Sequence, residues 1–161
     1  MAINRAAVGC SLMLLAGVCG WSIAHSQDRA SAYVRVTPAD VKWNPTPALP
    51  KGAQVARLYG DPSKPTLFTI RVKLPVHYKL PVYSHPEERV RTIISGTLYW
   101  AEGEKWDPTK LTAFPAGTFS YGPPNVWQFA ETRDEEVIFQ VSGIGPARID
   151  YLDPADDPRK Q

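Results

Sequence analysis

The chain has no cysteine beyond its first twenty residues. Its two, Cys10 and Cys19, both lie in an apolar leading segment. With that segment removed, the remaining domain has no disulfide, no thiol nucleophile and no thiolate metal site, and packing alone must hold it together. Histidine is nearly as scarce: His25 falls in the same leader, which leaves His77 and His85. An excess of one charge sign is missing too, since eighteen Lys and Arg stand against sixteen Asp and Glu for a formal net charge of +2. Such a balance gives no electrostatic reason to expect DNA, RNA or an anionic membrane as partner. No internal repeat is found, and outside residues 6–21 no long apolar run occurs.

The leader, residues 1–26, carries Arg5, then the apolar stretch 6–21, then the more polar SIAHS. This three-part form predicts a secretory signal cut before Gln27, with Ala24 and Ser26 as the small residues that precede the cut; cleavage after Ala24 is the second choice. An uncleaved anchor is the alternative, because the apolar run approaches the lower limit for spanning a bilayer. The expected product is a secreted or periplasmic protein with no stable membrane insertion.

Sixteen prolines and eleven glycines are scattered along the chain. Long helices tolerate neither in their interior, so short strands joined by tight turns are expected. Residues 27–50 contain Pro38, Pro45, Pro47 and Pro50 and read as an extended arm, which Val41 and Trp43 could lay against the domain as an edge strand. Phe68, Ile70, Val72 and Leu74 alternate with Thr69, Arg71 and Lys73, the pattern of a strand with one wet face. A second strand at 89–94 turns through Ser95-Gly96 into 97–101, a hairpin signal. Shorter runs follow at 111–114, 118–121, 126–130, 137–141 and 147–152, with one brief helical turn expected at 106–110. Strands at this spacing imply a sandwich or barrel over residues 51–154, followed by a solvated tail at 155–161.

Both remaining histidines lie in HYKLPVYSHPEERVRTIISG, residues 77–96. Strand alternation puts Tyr83 and His85 on one face, with Glu87 or Arg89 beyond them. The stretch resembles the first motif of the cupin superfamily, specifically that of small single-domain bacterial cupins. That motif holds a glycine, two histidines one residue apart, a glutamate and a closing glycine. Here His77 takes the first glycine position, Tyr83 and His85 the histidine positions, Arg89 the glutamate position and Gly96 the last. In the second motif Gly117 and Pro123 match, Asn125 replaces a glycine, Gln128 the histidine and Thr132 the asparagine. The runs HPEERVRTIISGTLYW, GEKWD, LTAFPAGTF and VSGIGPARIDY extend the resemblance over residues 50–154.

The resemblance implies an all-β jelly-roll barrel, the cupin double-stranded β-helix, and a homodimer. It also implies a divalent transition metal at the motif positions, for which the ligand set here would be His85, Glu88, Gln128 and Tyr83, with Glu88 standing in for the displaced glutamate. One imidazole is poor ligation for catalytic iron or zinc. The first expectation is therefore a barrel that binds a small organic molecule without a strongly held metal, with Tyr83, His85, Glu88, Arg89, Gln128, Trp100 and Tyr121 around the ligand. An enzyme is the alternative: a metal-dependent oxygenase or isomerase, or a metal-free epimerase or dehydratase with His85 as base and Tyr83 as acid. Two side chains side by side on one strand cannot easily flank a substrate, which weighs against that pair. A structural partner of another envelope protein, docking through the arm and the strand edges, is a third reading. Arg89 and Arg91 could grip a carboxylate or phosphate; Arg91 reads more readily as a solvated face, and Arg89 stands open. Trp100, Tyr121, Trp127 and Phe129 read as an aromatic floor or, more simply, as core or dimer packing. His77 reads as a rim loop residue.

Overall fold

The computed structural model describes residues 33–160. The leader, its cleavage sites, both cysteines and the start of the arm lie outside the described residues. Among those described, eleven strands form two antiparallel sheets. One runs β1 (Asn44–Pro45), β2 (Gln54–Tyr59), β3 (Leu67–Leu74), β10 (Val137–Ile144), β5 (Arg89–Ser95), β8 (Phe119–Gly122). The other runs β11 (Asp150–Tyr151), β4 (Lys79–Ser84), β9 (Gln128–Glu131), β6 (Leu98–Glu102), β7 (Thr112–Phe114). This is the expected all-β jelly-roll barrel.

The alternation in β3 acts as its sequence requires. Phe68, Val72 and Leu74 turn inward and are buried, while on the other face Thr69 Oγ1 meets Ser142 Oγ at 2.8 Å and Arg71 Nε donates to Gln140 Oε1 at 3.2 Å. β10 pairs with β3 on one side and β5 on the other, and it sends Val137, Phe139 and Val141 into the same core. The β5–β6 hairpin closes through Gly96 at φ +74°, where a Cβ would run into the Glu136 carbonyl. The single turn of 3₁₀ helix at Pro108–Lys110 is capped by the Asp107 carboxylate, which accepts from the Thr109 amide at 3.0 Å.

β2 was not expected, and of β4 only Tyr83, read with His85, was placed on a strand. β4 hides because Pro81 interrupts it. Against β9 its register jumps from Leu80↔Ala130 to Tyr83↔Gln128, a bulge that accommodates the proline. Past the bulge Tyr83 points into the main core, while Val82 packs on the other face of the sheet in a small cluster with Ala101 and Phe129. Leu80 and Tyr83, three residues apart, therefore share the inner face, a shift of phase that strict period-2 reasoning cannot anticipate.

Both ends of the described chain differ from expectation. The edge strand of the arm is Asn44–Pro45, one step beyond Val41 and Trp43, although the Trp43 ring does pack under Lys73 Nζ at 4.5 Å. Residues 46–50 then cross the barrel, held by Tyr151 Oη donating to the Ala48 carbonyl at 2.8 Å and Tyr78 Oη donating to the Pro50 carbonyl at 2.5 Å. Residues 155–160 are not a solvated tail. Asp157 is buried, and Arg159 donates from Nη2 to both Asp157 and the Ile149 carbonyl, which fastens the last turn onto the barrel.

Phe68 has no solvent exposure. Phe68→Ala is expected to cost about 3–5 kcal/mol in denaturant unfolding. Gly96→Ala should also destabilise, through strain at a left-handed position, whereas alanine at the exposed Lys160 should leave the midpoint unchanged.

Candidate functional site

Four strands bring the site together. β4 supplies Tyr83 and leads directly to His85; the rings meet edge to face with centroids 5.2 Å apart. β5 supplies Arg89 and Arg91, β9 supplies Gln128, and β6 supplies Trp100. Gln128 Oε1 accepts from Trp100 Nε1 at 2.7 Å and more loosely from Arg91 Nη2 at 3.5 Å. The site thus joins the inner faces of the two sheets.

His85 is fixed at both nitrogens. Nδ1 donates to the Arg148 carbonyl at 2.7 Å, so Nε2 is the bare nitrogen and accepts from Arg89 Nη1 at 2.9 Å. Burial, reinforced by the Arg89 guanidinium, holds its pKa well below the ordinary imidazole value. Arg89 is paired with Glu87, whose other carboxylate oxygen accepts from the Arg148 amide at 3.2 Å. Burial lowers Arg89 to about 9, which leaves it charged at neutral pH.

Arg91 is 7% exposed. Its guanidinium carbon sits 5.5 Å from the centre of the Phe139 ring and 5.9 Å from that of Trp100, and its Nε and Nη1 have no hydrogen-bond partner. It is not the solvated residue the sequence suggested. β5 is inverted: Val90 and Ile94 are 37% and 43% exposed, while Arg89 and Arg91 point into the barrel.

The arginines face a cavity of about 320 Å3. Its walls are mostly aliphatic, including Val55, Ile70, Leu74, Leu80 and Val141, with Ala48 and Leu49 of the arm on one side. Arg57, Arg148 and Arg159 also line it, and no acidic side chain does. A separate void of about 30 Å3 lies between His85, Arg89, Arg91, Trp100 and Gln128.

One expected site residue lies elsewhere. Glu88 faces solvent, where its carboxylate accepts from Tyr121 Oη at 3.0 Å; Tyr121, 55% exposed, borders the small void at its outer edge. Pro86 and the turn that follows decide this, by giving the inward position to Glu87 and the outward one to Glu88. The aromatic floor also disperses: Trp100 packs on Phe114, while Phe129 packs on Trp106 in the second cluster. His77 is a turn residue with a 70% exposed side chain. Sequence reasoning missed Arg148 and Arg159, which only the closed barrel brings to the cavity wall, and did not assign Glu87 a role.

No protein-family model and no curated protein matches the chain. Solved structures do. An RmlC-like cupin protein from Ralstonia eutropha is similar over 74% of this chain and 72% of its own, with TM-score 0.56 and 18% identity. The polyketide cyclase RemF from Streptomyces resistomycificus gives TM-score 0.58 at 17% identity, over 78% and 89% of the two chains. An acetylacetone dioxygenase from Acinetobacter johnsonii gives 0.58 at 15%, over 79% and 81%.

The chain has the cupin fold.

The cupin motif alignment survives in its backbone. His77 and Asn125, which stand at motif glycines, have φ of 53° and 61°, and the retained Gly96 and Gly117 have 74° and 88°. Left-handed turns persist even where the glycine is gone. The donor set does not survive. The metal positions of the resemblance hold a phenol, an imidazole whose free nitrogen is occupied by a guanidinium, that guanidinium, and an amide bonded to an indole. Glu88 cannot contribute, and among the described residues no three His, Asp, Glu or Cys side chains come together. Two buried guanidiniums repel a cation, so this residue set does not fit a divalent metal.

The depressed pKa of His85 has a sign. The unfolded histidine takes up its proton first as pH falls, so the contribution is complete above about 6.5 and is lost progressively below it. The melting temperature is expected to fall between about pH 7.5 and pH 5, and His85→Gln should flatten that slope. An unchanged slope in the variant would refute the buried neutral imidazole.

Proposed function

We propose that this protein is an exported cupin that binds a small organic molecule in its barrel without a strongly held metal. The observation that carries the reading is the cavity itself: about 320 Å3, mainly aliphatic, and walled by Tyr83, His85 and Arg89 at the motif positions with Arg91 beside them. That volume is at the small end of ligand pockets and roughly twice the ~150 Å3 that holds a benzene ring. A compact ligand with an apolar body fits it.

The geometry supports binding over acid–base catalysis. A general base needs a free lone pair within reach of the substrate. His85 Nε2 already accepts from Arg89, and Tyr83 stands beside His85 instead of across the cavity from it. Cupin-fold neighbours include enzymes such as the cyclase and the dioxygenase, whose chemistry is theirs. Export rests on the leader sequence and fits a domain that has no thiol to protect.

The full chain, expressed in exporting cells and purified without chelator or histidine tag, is expected to hold well under one equivalent of transition metal by elemental analysis. Near-stoichiometric metal that His85→Ala abolishes would overturn the metal-free reading. N-terminal sequencing of the same sample should begin at Gln27 or His25; an intact Met1 in the membrane fraction would overturn export.

A further inference from the structure

The ligand-binding reading leaves open what chemistry the cavity selects, and the charges around it answer that. Five arginines line the cavity, and four of them are neutralised by nearby carboxylates. Arg89 pairs with Glu87, Arg148 with Asp150 at 2.8 Å, Arg159 with Asp157 at 2.7 Å, and Arg57 with Asp61 at 3.8 Å. Arg91 has no carboxylate. It is the most buried of the five, its best partner is the neutral Gln128 oxygen at 3.5 Å, and its Nε and Nη1 are unsatisfied. An uncompensated buried guanidinium is costly, and an unsatisfied buried donor adds to that cost. The neighbouring Arg89 makes it worse, since the two cations lie close enough for Arg91 to lower the Arg89 pKa.

We infer that the ligand is a small organic acid whose carboxylate docks on Arg91 while its apolar body fills the aliphatic part of the cavity. The inference rests on the ligand-binding reading and sharpens it. A single negative charge matches the single unpaired positive charge; a dianion such as a phosphate monoester would bring a second charge that nothing in the wall balances. The anion would supply the counter-charge that Arg91 lacks, in a low-dielectric site where charge-assisted interactions are strongest. The aliphatic wall from β2, β3 and β10 supplies the nonpolar contact.

Octanoate and its neutral isostere octanamide test this by titration calorimetry on the intact exported protein. Wild type is expected to bind octanoate about tenfold or more tightly than octanamide. Arg91→Met should erase that preference and, when empty, melt higher than wild type, because it removes the uncompensated charge. Arg133→Gln, at an exposed arginine paired with Glu131 away from the cavity wall, should preserve the preference. Equal affinity of wild type for both probes would overturn the carboxylate inference and leave the ligand-binding reading standing. Binding of neither would count against that reading itself. The wild-type comparison decides even if the Arg91 variant fails to fold.

Discussion

A positive charge buried inside a β-barrel without its own counter-charge is the constraint around which this molecule is organised. Arg91 enters the core between the rings of Phe139 and Trp100, and the groups near it are arranged to tolerate it. Gln128 offers a carbonyl oxygen, oriented by the Trp100 indole. Arg89 is held back by Glu87, so the pair of guanidiniums presents one net charge instead of two. Arg91 lines the cavity and lacks a counter-charge of its own, which is where an anionic ligand gains most from meeting it.

His85 is caught in the same network. Its position would hold a metal or a proton in a conventional cupin site, but here its Nδ1–H is spent on the Arg148 carbonyl and its lone pair on Arg89. The imidazole is a strut between β5 and the segment before β11. The arm and the C-terminal turn complete the enclosure. Tyr78 and Tyr151 clamp residues 48–50 across the barrel, and Asp157 fixes Arg159 where it lines the cavity. Desolvation pushes both of these tyrosines upward, so their hydroxyls stay protonated and remain donors to the arm.

The turns and the side chains between them are under different constraints. Left-handed backbone at His77 and Asn125 costs a non-glycine residue something in strain, yet the strands on either side over-determine the turn and retain it. Side chains at the metal positions are under no such geometric control. Arginine at the glutamate position reverses the sign of the site without disturbing the ladder that presents it, since β5 remains paired with β10 and β8 throughout.

Much of the scaffold was legible in the sequence. The alternation of Phe68, Ile70, Val72 and Leu74 defined β3, Ser95-Gly96 defined the central hairpin, and proline and glycine spacing excluded long helices, because these are local consequences of strand period and backbone sterics. The thiol-free chemistry of residues 27–161 followed from composition alone. The direction of the charges did not. Val90, Thr92 and Ile94 form the more apolar face of β5 and would be placed inward by pattern, but Arg89 and Arg91 point in with Ile93, whose burial opposite Phe139 of β10 sets which face meets the core. Likewise the choice of Glu87 over Glu88 and the shift of phase at the β4 bulge depend on contacts between residues far apart in sequence. Period and propensity determined which segments pair; only the closed barrel decided which charged groups had to share its interior, because burial and charge pairing are properties of three-dimensional neighbours.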